Sequence, residues 1–217
     1  MRRRPGDLFI ALGLLLIAGA VGLSLYNLYD SYRAAYSSQQ VIVYLEQVIP
    51  EEKVNTFLPE NSDISMETTA LEELEIPDYV LAPAMDMLVM EYNGNAYIGR
   101  LSIPALALEL PVIDQWSYPA LKIAPCRYAG SAYTDDLVIA GHNYKAHFAE
   151  LSKLQRGDYI ILTDADGNLF FYTVAVLETL APTAIEEMTS DVWALTLFTC
   201  TPGGSYRMAV RCDKAMP

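Results

Sequence analysis

Cysteine, histidine and positive charge are all scarce in this chain of 217 residues, and each shortage narrows what it can be. Three cysteines are too few for a disulfide scaffold, and an odd number leaves at least one free thiol or an intermolecular bond. His142 and His147 are the only imidazoles, so the search for a histidine base ends with these two. Fourteen basic side chains face 27 acidic ones, and residues 8–217 hold 11 basic against 26 acidic, a formal charge of −15. That portion lacks the basic stripe that nucleic acid or anionic lipid requires, which excludes both as its partners; a cationic or amine-bearing partner suits it better. No internal repeat or low-complexity array is present.

Long apolar runs are confined to one place. Leu8 to Tyr26 is 19 residues without a charge, preceded by Arg2, Arg3 and Arg4 and followed by Asp30. As a helix it measures about 28 Å, close to the hydrocarbon thickness of a bilayer. The arginine cluster stays in the cytoplasm under the positive-inside rule, which puts the rest of the chain outside. A cleaved signal peptide is the competing reading, because Ala18-Gly19-Ala20 fits a small-residue cleavage pattern. The apolar stretch continues through Val21, Leu23, Leu25 and Tyr26, which favours an uncleaved anchor. The expected organisation is therefore a cytoplasmic basic tail (1–7), a transmembrane signal anchor (8–26), an extracytoplasmic stalk or acidic appendage (27–96) and a catalytic barrel (97–217). Within the appendage a helix is expected around Ser38 to Val48, followed by an acidic, proline-punctuated stretch from Pro50 to Pro83.

After Tyr97 the texture changes to short β-rich runs: Tyr97 to Ile103, Leu108 to Ile113, Leu137 to Ala140, Tyr159 to Thr163, Leu169 to Leu177, Val192 to Cys200 and Arg207 to Cys212. Seven such runs predict a mostly β fold, a closed barrel or sandwich. Asp164-Ala165-Asp166-Gly167-Asn168 reads as a hairpin turn; as a calcium loop it lacks the later ligand positions and the bidentate Glu. One helix is expected inside this region, Lys145 to Leu154.

The last hairpin carries the chemistry. In the simplest register Cys200 faces Arg207 across a six-residue loop, and directly opposed side chains share a face with Cβ atoms about 5 Å apart. Cys212 then faces Leu195 on the other side of the sheet, which disfavours a Cys200–Cys212 disulfide and leaves Cys200 free. Arg211 shares the face of Arg207 one pleat repeat further from the thiol, and is the reserve cation. A one-residue slip would undo both assignments. His142 follows the apolar run Leu137-Val138-Ile139-Ala140 and Gly141, so it emerges where a buried strand opens into a loop. His147 falls inside the expected helix and reads as a half-buried helix-face residue; Cys126 reads as a buried thiol. A thiol with a base and an oxyanion donor beside it is equipped for acyl transfer.

These residues resemble the sortases, cysteine transpeptidases tethered to the outer membrane face of Gram-positive bacteria. Thr196-Leu197-Phe198-Thr199-Cys200 is similar to the family's Thr-Leu-X-Thr-Cys signature, Ala140-Gly141-His142 to the segment with its histidine, and Tyr206-Arg207 to the strand with its arginine. Tyr97 to Pro104 and Leu110-Pro111-Val112 resemble its opening strands. The resemblance implies a closed eight-stranded sortase-like β-barrel with short helices, and a function for each residue. Cys200 would attack a carbonyl within a C-terminal sorting signal similar to Leu-Pro-X-Thr-Gly and form a thioester. An amine, on a peptidoglycan precursor or on a pilin lysine, would resolve it. His142 would be proton donor and acceptor, and Arg207 would stabilise the oxyanion or the substrate. The implied partners are surface proteins or pilins bearing the signal, with no cofactor and no metal. Two departures bear on subclass: the Cys200 to Arg207 connection is shorter than the family's usual one, and the Asp-Pro-aromatic lid motif is absent. Pro77-Asp78-Tyr79 is the candidate to fill a lid's role.

Two rivals remain. Metal binding by His142, His147 and the cysteines suffers from a five-residue histidine spacing and from the lack of any Cys-X-X-Cys pair. A noncatalytic, membrane-tethered barrel that only binds would have no need of the Cys200, His142 and Arg207 set. A papain-type protease places its cysteine before its histidine, the reverse of the order here.

Overall fold

The computed structural model describes residues 5–50 and 76–216. The arginines at 2–4 and most of the acidic stretch, residues 51–75, lie outside the described residues.

Helix α1 (Pro5–Val48) is one unbroken element whose two halves meet different surroundings. It opens on a proline, which suits a first turn, and stops just before Pro50, because the residue preceding a proline is pushed out of the helical region. Its N-terminal half is apolar all round and packs on none of the described residues: Phe9, Leu15 and Leu16 are 72%, 68% and 64% exposed. By length and composition it is a candidate membrane span. The C-terminal half buries Asp30, Ala34, Ser38, Val41, Ile42 and Leu45, a stripe at helical spacing, against the barrel. Ser38 Oγ donates to the Ile123 carbonyl at 3.2 Å. The expected helix at Ser38 to Val48 is thus the end of a longer one. Over Asn27–Val48 the segment expected as a stalk is helix docked on the barrel.

The barrel consists of β2 (Asn95–Ile103), β3 (Leu108–Ile113), β4 (Cys126–Ala129), β5 (Leu137–Ala140), β6 (Tyr159–Asp164), β7 (Leu169–Leu180), β8 (Leu195–Cys200) and β9 (Arg207–Ala215), with β1 (Met90–Tyr92) as an added hairpin strand. The strands run β1-β2-β3-β4-β5-β8-β9-β7-β6, and β6 returns to β2, so eight strands close on themselves. Closure brings backbones together at Gly99, φ +149°, where a Cβ would stand 2.0 Å from the Thr163 carbonyl oxygen. Inward residues of β2, β3 and β5 to β9, among them Ile98, Leu101, Leu162, Tyr172, Leu197, Val210 and Cys212, form one continuous core. A second cluster, with Tyr97, Ile113 and Cys126, receives Val41 and Leu45 of α1.

Three expectations need correction. No α-helix spans Lys145 to Leu154; the segment is a set of turns ending in a 3₁₀ helix at Leu151–Lys153. Phe148, Leu151 and Leu154 all enter the core at three-residue spacing, which matches a 3₁₀ period and not 3.6. The strand expected from Val192 begins at Leu195, and Val192 is exposed. Pro77-Asp78-Tyr79 forms no lid. The short helix α2 (Asp78–Leu81) places Tyr79 in a stack on Tyr133 at 4.8 Å and against Phe170 at 5.2 Å. Phe170 lies at the start of β7, whereas Leu180 at its end pairs with Arg207; the two ends are roughly 30 Å apart at about 3.3 Å per residue. Tyr79→Ala is therefore expected to lower stability by about 2 kcal/mol through the lost aromatic packing. The alkylation rate of Cys200 should stay at the wild-type value, and a change in that rate would restore the lid.

Candidate active site

Three neighbouring strand ends bring the site together. β8 pairs with β9 antiparallel, with Cys200 opposite Arg207 and Cys212 opposite Leu195, the register expected from the sequence. On its other side β8 pairs with β5 in parallel, Leu137 with Leu195 through Ala140 with Phe198, and Gly141 N–H donates to the Phe198 carbonyl at 2.9 Å. Extending that constant offset puts His142 level with Cys200, so His142, Cys200 and Arg207 follow one another across the three strands. Gly141 is required for this path, because a Cβ there would meet the Phe148 ring at 2.2 Å.

Cys200 is exposed, whereas Cys126 and Cys212 are buried and all three are free. Burial pushes the Cys126 and Cys212 thiols up to about 12, so both stay protonated. Cys126 also donates to the Ala124 carbonyl at 3.3 Å, beneath α1 rather than in the cleft. The loop after Cys200 is closed by Thr201 N–H to the Tyr206 carbonyl at 3.0 Å, with Gly203 and Gly204 at φ +86° and +76° making the turn. Arg207 Nη1 donates to the Gly204 and Tyr206 carbonyls at 3.2 Å each, which leaves Nε and Nη2 for a ligand.

A cleft of about 220 Å³ opens on the outer face of these strands, with Cys200, Arg207, Gly141 and Thr199 in its wall. Its floor is aromatic and apolar: Trp116 meets Tyr128 edge-on at 5.7 Å, and Tyr128 meets Phe198 edge-on at 5.2 Å. Pro182, Ile185 and Met188 close the far side, from the connection that holds helix α4 (Ile185–Met188). His142 stands next to this cleft rather than in its wall, its ring stacked parallel on Tyr144 at 4.0 Å. Burial, and then the Lys122 ammonium, push the His142 imidazole below its ordinary pKa, while Asp30 opposes them.

Arg211, the reserve cation, does another job. Its side chain is buried and donates to Glu178 Oε1 at 2.6 Å, Thr196 Oγ1 at 3.0 Å, the Met188 carbonyl at 3.2 Å and the Glu187 carbonyl at 2.6 Å. It clasps α4 to the sheet and has no free direction toward the thiol. His147 is completely buried on a turn rather than half-buried on a helix, and among the described residues neither ring nitrogen has a hydrogen-bond partner of normal geometry. Burial pushes it down to about 4, so it stays neutral where an unfolded histidine charges. Folding stability should therefore be complete above pH 6.5 and fall by about 3 kcal/mol as the pH drops toward 4. His147→Leu should flatten that slope in melting experiments, and an unchanged slope would assign the acid sensitivity to other groups.

Sequence reasoning missed the cleft floor. Trp116 lies just before, and Tyr118 at the start of, a four-residue helix without strand periodicity, and their one signal in the sequence is two aromatics two residues apart. It also missed Tyr144 and Asp30, which carry no motif.

Comparison with known proteins agrees with this architecture. The sortase domain family model matches residues 101–215. The chain is 30% identical over 117 residues to a sortase A of Bacillus anthracis, covering 48% of this chain and 51% of that protein, so it spans about half the length of that curated relative. A solved structure of a Clostridium perfringens sortase D5 transpeptidase is similar at TM-score 0.50 and 21% identity, over 58% of this chain and 82% of that one. A Clostridium perfringens sortase C structure with the C-terminal cell wall sorting motif is similar at TM-score 0.49 and 25% identity, over 55% and 70%. Since the matched domain takes in more than half of the residues and coincides with the closed barrel, the chain belongs to the sortase family.

Proposed function

We propose that this protein is a membrane-anchored cysteine transpeptidase acting on C-terminal sorting signals outside the cell. The observation that carries the reading is an exposed free thiol, Cys200, flanked in register by Arg207 on one strand and by the His142 strand on the other. The Cys200 thiol gives its proton to His142 as the sulfur adds to a carbonyl carbon within a signal similar to Leu-Pro-X-Thr-Gly. Arg207, through its free N–H groups, stabilises the oxyanion that forms. The C–N bond breaks as His142 gives a proton to the leaving amine, and a thioester remains on Cys200. An acceptor amine, on a peptidoglycan precursor or a pilin lysine, then attacks the thioester and loses a proton to His142. The C–S bond breaks and a new amide leaves. The apolar floor of Trp116, Tyr128 and Phe198 suits the leucine and proline of such a signal.

The apolar half of α1 acts as a single-pass anchor with its N-terminus cytoplasmic, and the barrel stands close to the outer surface. Arg207→Ala is expected to lower kcat/KM for transfer of a Leu-Pro-X-Thr-Gly peptide to an amine by about 10²–10³-fold, with Arg207→Lys recovering part of it. Transfer at the wild-type rate by Arg207→Ala would remove the arginine from the scheme.

A further inference from the structure

The barrel-docked half of α1 reaches the candidate histidine through Tyr144. Tyr144 Oη donates to Asp30 Oδ2 at 3.2 Å, and the Tyr144 ring lies on the His142 ring at 4.0 Å with only 4° between the planes. Asp30 is itself 9% exposed, and Arg33 Nη2 stands 3.6 Å from its other oxygen. Asp30 lies four residues beyond Tyr26, the end of the uncharged run. We propose that Asp30 and Tyr144 are positioning residues for His142, through which the anchoring helix sets the orientation and the charge preference of the imidazole. The inference rests on His142 being the proton carrier of the proposed reaction.

Orientation comes from the stack, since a phenol fixed at its hydroxyl removes the freedom of a ring that packs face to face with it. Charge preference comes from the same contacts. His142 faces Lys122 after helix α3 (Tyr118–Leu121), Asp30 on α1 with Arg33 behind it, Tyr144 and the neutral His147 in its own segment, and the Cys200 and Arg207 strands. Burial and Lys122 oppose the imidazolium. Asp30 favours it by charge, and the Tyr144 face favours it by cation–π attraction. An imidazolium is what hands a proton to the leaving amine, so that step depends on a helix remote from it in sequence.

The test uses the full chain in detergent micelles, with histidine-labelled NMR to titrate His142 and a Leu-Pro-X-Thr-Gly peptide with triglycine to measure transfer. In D30N the His142 midpoint should fall by about half a pH unit or more, and kcat by about 5–10-fold with KM unchanged. D30E should restore both. Y144F, which keeps the ring and loses the hydroxyl, should lower kcat with a smaller shift of the midpoint. Iodoacetamide labelling confined to Cys200 in every variant, with the buried Cys126 and Cys212 protected, reports an intact barrel. A D30N chain with wild-type midpoint and kcat overturns the proposal. A midpoint that moves in a chain transferring no peptide upholds the coupling and sinks the transfer reading instead.

Discussion

Cys200→Ala is expected to bring transfer of a sorting-signal peptide down to the uncatalysed level, a loss on the order of 10⁴-fold or more, because no other thiol can take over. Cys126 and Cys212 are buried, with thiols pushed up to about 12, and neither reaches the cleft wall. His142→Ala should fall nearly as far, and the double variant no further than either single one, since a nucleophile and its proton carrier act as a unit. Cys126→Ala and Cys212→Ala should keep transfer and lose only stability, by about 1 kcal/mol for a small buried side chain. Iodoacetamide at neutral pH should accordingly label one residue, Cys200, in the folded chain. Residual transfer by Cys200→Ala above one per cent of wild type would be incompatible with the thioester route.

Arg211→Ala should be the most destabilising single change in the site region, at about 3–4 kcal/mol in chemical denaturation. Its guanidinium joins the Met188 and Glu187 carbonyls, Thr196 Oγ1 and the Glu178 carboxylate. Glu178 is 37% exposed at its side chain and recovers water when the arginine goes, whereas Thr196 is 1% exposed and does not. Lysine cannot reproduce four divergent contacts from one ammonium, so Arg211→Lys should rescue less than half of the loss. Because Met188 and Ile185 wall the cleft, transfer should fall through a raised KM with kcat nearly intact. Were Arg211 the oxyanion partner, kcat would fall instead and stability would hold.

The terminal hairpin was legible because its information is local. Six residues join Cys200 to Arg207, alternation does the rest, and the pairing of Cys212 with Leu195 follows. The barrel was legible from its long alternating strands, while β4 was not: four residues with a register shift between Arg127 and Ala129 leave no periodic signal. What the face of a strand does not disclose is the partner. Arg211 was placed on the correct side of the sheet, yet its ligands come from Glu178, Glu187 and Met188, which only the tertiary fold brings near. Docking of α1 was hidden for a related reason, since its buried stripe includes Asp30, Ala34 and Ser38, small or polar residues that become interior only against a partner surface.

The central claim is a covalent one, so mass decides it. Full-length protein mixed with a Leu-Pro-X-Thr-Gly peptide and quenched in acid should gain the mass of the acyl fragment on the peptide that contains Cys200. Adding an amine should discharge it into a new amide, and hydroxylamine should release it as a thioester requires. A full-length chain that transfers the peptide with Cys200 never modified, or that carries the acyl group on another residue, would contradict the account.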